Sequence, residues 1–180
     1  MSDDDRARWE RRHAAAGEPS PAPPALFESV QRLFPTTGRA LEIACGRGQT
    51  AVWLALRGME VHAVDISPVA IELARRLAEE HEVAHRIRFE VWDLDDGLPA
   101  GPSVDLLVCH MFREPRLYPA MVERIVPGGA LAVAGLSEIG GEPGSFRAGR
   151  GELRQAFSAL RVVAEGEGNG VTWFFGRKAA

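Results

Sequence analysis

The stretch Arg39-Ala40-Leu41-Glu42-Ile43-Ala44-Cys45-Gly46-Arg47-Gly48 decides the fold. Its first part, 39–44, reads as a short apolar strand, and Cys45 to Gly48 as the turn that ends it. Residues 49–57 follow as a helix that Gly58 is placed to stop. Strand, Gly-x-Gly turn and helix in this order put backbone N–H groups at a helix N-terminus, where glycine lets a ligand approach the main chain. Glu60 to Asp65 is then a second strand, and Asp65 lies nineteen residues after Gly46. In an open parallel sheet that position faces the crevice beyond the strand ends and can accept hydrogen bonds from ribose hydroxyls. Gly-x-Gly alone is a weak signal, and the acid at this spacing makes it much stronger.

Outward from this unit, strands and helices keep alternating. Ser67 and Pro68 supply an N-cap and a first-turn proline for an amphipathic helix to about residue 81. Strands are expected at 87–92 and 104–111, a helix at 116–126, and a fifth strand at 130–135 after Pro127-Gly128-Gly129. Residues 136–150 read as a loop and 151–160 as a short helix. The strands 161–165 and 171–176 are joined by Gly166 to Gly170, too short for a parallel crossover, so they run antiparallel. The expected fold class is α/β: a Rossmann-like, seven-stranded, mostly parallel sheet with an antiparallel C-terminal strand and helices on both faces.

The N-terminus differs. Residues 3–16 read as a polar helix with acids in its first turn, and 18–24 (Glu-Pro-Ser-Pro-Ala-Pro-Pro) as a stiff linker. A helix over 25–34, ended by Pro35, puts Leu26, Phe27, Val30, Leu33 and Phe34 on one face. The expected organisation is therefore a helix and proline-rich linker over 1–24, a candidate lid, before a single domain over 25–180.

Composition narrows the class. The chain has 180 residues, 46% of them apolar, with a net charge of −4 and two cysteines. No apolar run approaches the ~20 residues that cross a bilayer, and the acidic start lacks the features of a secretory signal. Cys45 and Cys109 are too few for a disulfide scaffold, which fits reduced thiols and a cytoplasmic location. A mixed, slightly acidic charge argues against nucleic acid as a partner. No membrane partner is expected either, and the oligomeric state stays open.

Two ligand classes compete for the glycine turn. Gly46-Arg47-Gly48-Gln49-Thr50-Ala51 satisfies G-x-G-x-x-G/A, so a nicotinamide-dependent oxidoreductase has to be weighed. Glu42 counts against it, because a carboxylate there repels pyrophosphate but suits an ammonium or sulfonium group. S-adenosylmethionine carries both and has no phosphate. A third class is a non-catalytic module that holds the cofactor for a protein partner.

The constellation resembles the class I S-adenosylmethionine-dependent methyltransferases. Their acidic-x-Gly-x-Gly-x-Gly motif is matched by Glu42-x-Ala44-x-Gly46-x-Gly48, with Ala44 in place of the first glycine. Val64-Asp65-Ile66-Ser67 matches the second motif, Val91-Trp92-Asp93-Leu94 the third, and Val126-Pro127-Gly128-Gly129 the turn before the fifth strand. The resemblance covers about 38–177 and implies S-adenosyl-L-methionine as cofactor. Asp65 would then hold the ribose, Ile66 pack on the adenine, and Asp93 contact its amino group. The implied cofactor set is Glu42, Ala44, Cys45, Gly46, Gly48, Asp65, Ile66, Ser67, Asp93, Leu94 and Cys109. Within the family, the compact size, Trp9-Glu10-Arg11-Arg12-His13 and Gly48-Gln49-Thr50 resemble the tellurite-resistance and thiopurine-type small-molecule enzymes.

Methyl transfer is an in-line displacement at an activated carbon, so the protein positions two reactants and excludes water. His110, after the fourth strand, is the candidate catalytic base. Met111 and Phe112 read as pocket walls, while Trp9, Arg12, His13 and Arg113 are candidate acceptor contacts. Arg147 is a further anion candidate, and Cys109 reads as strand packing rather than as a nucleophile. The Asn/Asp-Pro-Pro-Tyr/Phe motif of nucleobase amine methylation is absent after the fourth strand. His81-Glu82-Val83-Ala84-His85 spells H-E-x-x-H, but it straddles a helix end, so no metal site is expected. The sheet consumes nearly the whole chain, which points to a small-molecule acceptor.

Overall fold

The structure, a computed structural model, describes residues 19–144 and 146–180. The helix expected over 3–16, with Trp9, Arg12 and His13, lies outside the described residues.

Seven strands form one sheet: β1 (Arg39–Ile43), β2 (Glu60–Asp65), β3 (Ile87–Val91), β4 (Val104–His110), β5 (Ile125–Leu136), β6 (Arg161–Gly168) and β7 (Val171–Arg177). Their order is β3-β2-β1-β4-β5-β7-β6. Strands β1 to β5 pair in parallel, and β7 runs antiparallel between β5 and β6. The order reverses between β1 and β4, and at such a switch point a crevice opens beyond the carboxyl ends of the strands.

Strand alternation sends side chains to two separate cores. Ala40, Ala63, Leu106, Val108 and Ala132 face α1 (Gln49–Leu56) and α2 (Pro68–Glu80). Leu41, Ile43, Leu107, Val133 and Phe174 face α3 (Tyr118–Arg124) and α4 (Glu152–Ala156). Glu42, between Leu41 and Ile43, therefore points toward the α1/α2 face, where alanine-rich strands let the helices approach closely. The helices cover both faces, as expected.

Segment 25–34 is a 3₁₀ helix over Ala25–Leu33 rather than an α-helix. Proline bounds it on both sides. Phe27 packs edge-on against Trp173 at 5.6 Å, and Phe34 lies 5.1 Å from Phe175, so its ends are pinned onto β7. The helix expected at 116–126 begins with a 3₁₀ turn and becomes regular only from Tyr118. The one expected at 151–160 is limited to Glu152–Ala156.

Strand β5 starts five residues earlier than its apolar run suggests. Val104 pairs with Ile125 and Leu106 with Ala130, so Pro127-Gly128-Gly129 forms an irregularity inside the strand. Proline lacks a donor for the ladder, and such an interruption accommodates it. The link between β6 and β7 shrinks to Asn169 and Gly170, both left-handed (φ 53° and 77°), the geometry of a tight type I′ hairpin.

Candidate functional site

The residues named from the glycine turn converge at the carboxyl edge of the sheet. Within five residues, Ala44, Gly46 and Gly48 adopt left-handed φ values of 53°, 53° and 75°. Those angles swing the chain off β1 and into α1. Ala44 shows why glycine suits the first of these positions, since a Cβ there costs roughly 1–2 kcal/mol. The turn is closed by Cys45 N–H on the Val64 carbonyl and Gly48 N–H on the Cys45 carbonyl, both at 3.0 Å.

Gly48 has a packing role as well. A Cβ on it would meet the Ala74 Cβ at 2.6 Å and the Phe89 ring at 3.1 Å. Gly48→Ala is therefore expected to cost about 2–4 kcal/mol, from overpacking between α1 and α2 added to left-handed strain. Urea unfolding of the purified variant measures it.

Asp65 ties the two motifs together. One carboxylate oxygen accepts the Gly46 N–H at 2.8 Å and the other the Ser67 N–H at 2.9 Å. Each oxygen retains a lone pair for a ligand hydroxyl. The Gly46 amide, which a pyrophosphate would use, is thus already occupied by a negative group. Ser67 caps α2, its hydroxyl accepting the Ala70 N–H at 3.2 Å, and Ile66 lies between these anchors. Asp93 caps the short 3₁₀ turn Leu94–Asp96 through the Asp95 N–H, and Leu94 is buried beneath it.

Glu42 is the unusual member. It is 3% exposed, and its Oε2 has no hydrogen-bond partner. The carboxyl is met by the Ala51 N–H and the Thr50 hydroxyl, yet burial, and next the Asp65 charge, raise its pKa to about 8. An unsatisfied buried oxygen beside a second carboxylate is the arrangement a cationic group completes. The residues present therefore fit an amino-acid ammonium at Glu42 and a ribose at Asp65. The Thr50 contribution was not evident from sequence, because a threonine in a first helical turn carries no signal of its own.

Cys45 and Cys109 are free and buried. Burial, followed by the Glu42 charge, pushes the Cys109 thiol up to about 12, and the same causes together with Asp65 push Cys45 up. Neither is a thiolate near neutral pH, so both act as packing.

His110 ends β4 at the crevice. Its Nε2 is buried without a partner, and burial lowers its pKa below the ordinary value, so the ring is neutral at pH 7. Met111, at φ 62°, turns the chain outward and is exposed. Phe112 packs on the α3/α4 core. Arg113 forms two 2.8 Å hydrogen bonds to Glu152, which also accepts from the Tyr118 hydroxyl and the Gly149 N–H. Arg147 is tied to the Ser137 and Gly170 carbonyls. Both arginines thus brace the loops around the crevice. His81 and His85 are exposed on opposite sides of a turn, and no metal-ligating cluster occurs among the described residues.

An open sheet that switches direction between β1 and β4, with acids at the ends of β1 and β2, defines a Rossmann-like nucleoside-binding protein. Residues 40–129 match the family described as "Methyltransferase domain", half of the chain, and the protein belongs to that family, the class I S-adenosylmethionine-dependent methyltransferases. It is 31% identical over 119 residues to the ribosomal protein L11 methyltransferase of Shewanella sp. (strain ANA-3). That match covers 64% of this chain but 40% of the relative, so the chain spans two fifths of the length of the curated relatives it matches. Among solved structures, the N-methyltransferase NodS from Bradyrhizobium japonicum WM9, in complex with S-adenosyl-L-homocysteine, superposes with a TM-score of 0.74 at 18% identity, covering 99% of this chain and 100% of that one. TehB from Haemophilus influenzae gives 0.71 at 18% identity, covering 86% and 60%. At such identities these structures establish the fold.

Proposed function

We propose that the protein is an S-adenosylmethionine-dependent methyltransferase that transfers a methyl group in line to a small-molecule acceptor. The observation that carries this reading is the unpartnered Glu42 Oε2, buried beside Asp65 at the glycine turn. It favours a ligand with an ammonium group and no phosphate, against the nicotinamide alternative.

Glu42 would hold the amino-acid end, Asp65 the ribose, and Ile66, Asp93 and Leu94 the base, with Ala44, Cys45, Gly46 and Gly48 shaping the turn beneath. When bound, S-adenosylmethionine supplies a methyl group on a positively charged sulfur. The chain's own residues orient that group and keep water away. His110, neutral and with a free buried nitrogen, takes the proton from an oxygen or nitrogen acceptor, and Met111 and Phe112 wall the acceptor space. The Gln49 side chain donates to the Ser20 carbonyl at 3.2 Å, and the Gln49 backbone carbonyl accepts the Ala22 N–H at 3.3 Å. The proline-rich segment thus runs past the start of α1, beside the glycine turn, and this supports assigning residues 1–24 as the lid. No helix among the described residues is long and apolar enough to cross a membrane, and two free thiols agree with a cytoplasmic setting.

Conversion of S-adenosylmethionine to S-adenosylhomocysteine, followed against thiols, phenols, amines, oxyanions such as tellurite and ribosomal protein L11, tests the reading. Turnover of small acceptors is expected. Turnover of protein L11 alone would replace the acceptor assignment, and tight cofactor binding without any turnover would favour a non-catalytic module. With an oxygen or nitrogen acceptor, His110→Gln is expected to lower kcat by about 10²-fold or more while S-adenosylhomocysteine affinity is unchanged. A kcat that stays put removes His110 from the chemistry.

A further inference from the structure

At the far end of the sheet from Glu42 and Asp65, the N-terminal ends of β1 to β4 border an open cavity of about 330 Å³. Its inner wall includes Ala40, Val61, Ile87 and Val104. Four arginines, Arg39, Arg86, Arg88 and Arg124, line it together with His62 and His85, against a single lining carboxylate, Glu60.

Most of the nearby acids are already engaged. Glu60 holds Arg86 at 3.0 Å, and Glu90 holds both Arg88 at 3.0 Å and His62 at 2.9 Å. Asp105 accepts the backbone N–H of Arg39 at 2.7 Å. Of the four lining guanidinium groups, two have no carboxylate partner among the described residues, those of Arg39 and Arg124. Arg39 is exposed where it lines the cavity. Arg124 donates from Nη2 to the Pro99 carbonyl at 2.7 Å, while its Nε is buried with no partner at all. Burial without a counter-charge also lowers its pKa. A buried, unsatisfied, charged donor is costly unless something fills it.

We propose that this cavity is a binding site for a small organic oxyanion, a phosphate or carboxylate on an apolar body, clamped by Arg39 and Arg124. The planar guanidinium fork matches both headgroups in bidentate geometry. The aliphatic wall takes the body of the ligand, and the volume falls at the lower end of the roughly 300–1,000 Å³ typical of small-molecule sites. The site shares no residue with the cofactor crevice, so it stands independently of the methyl-transfer reading.

The probe is 1-naphthyl phosphate, titrated by its own fluorescence onto the full chain with and without saturating S-adenosylhomocysteine. Binding is expected in both conditions, and 1-naphthol, which lacks the oxyanion, is expected to bind at least tenfold more weakly. The double variant Arg39→Gln/Arg124→Gln is expected to lose at least tenfold in affinity. Because Arg124 also braces the Pro99 carbonyl, Arg39→Gln alone serves as the variant that cannot fail through folding, and it is expected to lose severalfold. Displacement of the probe by S-adenosylhomocysteine, undiminished binding by Arg39→Gln, equal binding of 1-naphthol, or no binding at millimolar probe each overturns the site.

Discussion

Asp65→Ala is expected to weaken S-adenosylhomocysteine binding by at least about a hundredfold, the equivalent of roughly 3 kcal/mol. Two losses combine. The charge-assisted hydrogen bonds that the carboxylate would make to the ribose disappear. So does the clip between the motifs, because Asp65 accepts from Gly46 N–H and Ser67 N–H on opposite oxygens. Asp65→Asn tests whether the shape of the side chain alone suffices. An amide has only one oxygen, so its NH2 must face one of those two backbone donors, and Asn should therefore bind nearly as poorly as Ala despite its similar shape. Calorimetric titration of both variants is the check. Unchanged affinity in Asp65→Ala would falsify the assignment of the crevice to a nucleoside ligand.

The carboxylates of the site were readable in the sequence because local rules place them. Glycines after an apolar strand force a turn, alternation fixes which face Glu42 takes, and an acid ending the next parallel strand must reach the same edge. Strand β2 and the Ser67 cap have the bounds the sequence implies. What escaped were contacts set by chain segments that meet only on folding. The Asp65 grip on the Gly46 amide crosses 19 residues, and the Arg113–Glu152 pair crosses 39. Arg113 therefore read as an available cation, when α4 brings it a carboxylate. The extra length of β5 was hidden for a different reason. Proline and glycine ordinarily break strands, and only pairing of Ile125 with Val104 carries the strand past them. The N-terminal ends of β1 to β4 escaped because no motif marks them, and Arg39 and Arg124 lie far apart along the chain.

Glu42→Gln is expected to separate stability from ligand binding, and pH reveals it. With its pKa raised from 4.5 to about 8 by burial and then by Asp65, Glu42 is protonated in the ligand-free protein at pH 7. Between those two values the folded protein holds a proton that the unfolded chain has released. This group's contribution to stability is therefore complete below about 4.5 and is lost as the pH rises through about 8. Gln cannot ionise, so it escapes that loss, although its amide leaves a buried donor unmet. The stability difference between Glu42→Gln and wild type, measured by urea unfolding, should shift in favour of the variant from pH 5 to pH 8, by an amount on the order of 3 kcal/mol. Binding behaves in the opposite sense. An ammonium group at Oε2 favours the ionised carboxylate, so wild-type affinity for S-adenosylhomocysteine rises with pH up to about 8, and binding at pH 7 releases a proton. In Glu42→Gln both the pH dependence and the proton release vanish, and affinity drops by about a hundredfold. Calorimetry in buffers of different ionisation enthalpy counts that proton directly. Equal proton release by wild type and variant would place the cation elsewhere than Glu42 and remove the observation on which the methyltransferase reading rests.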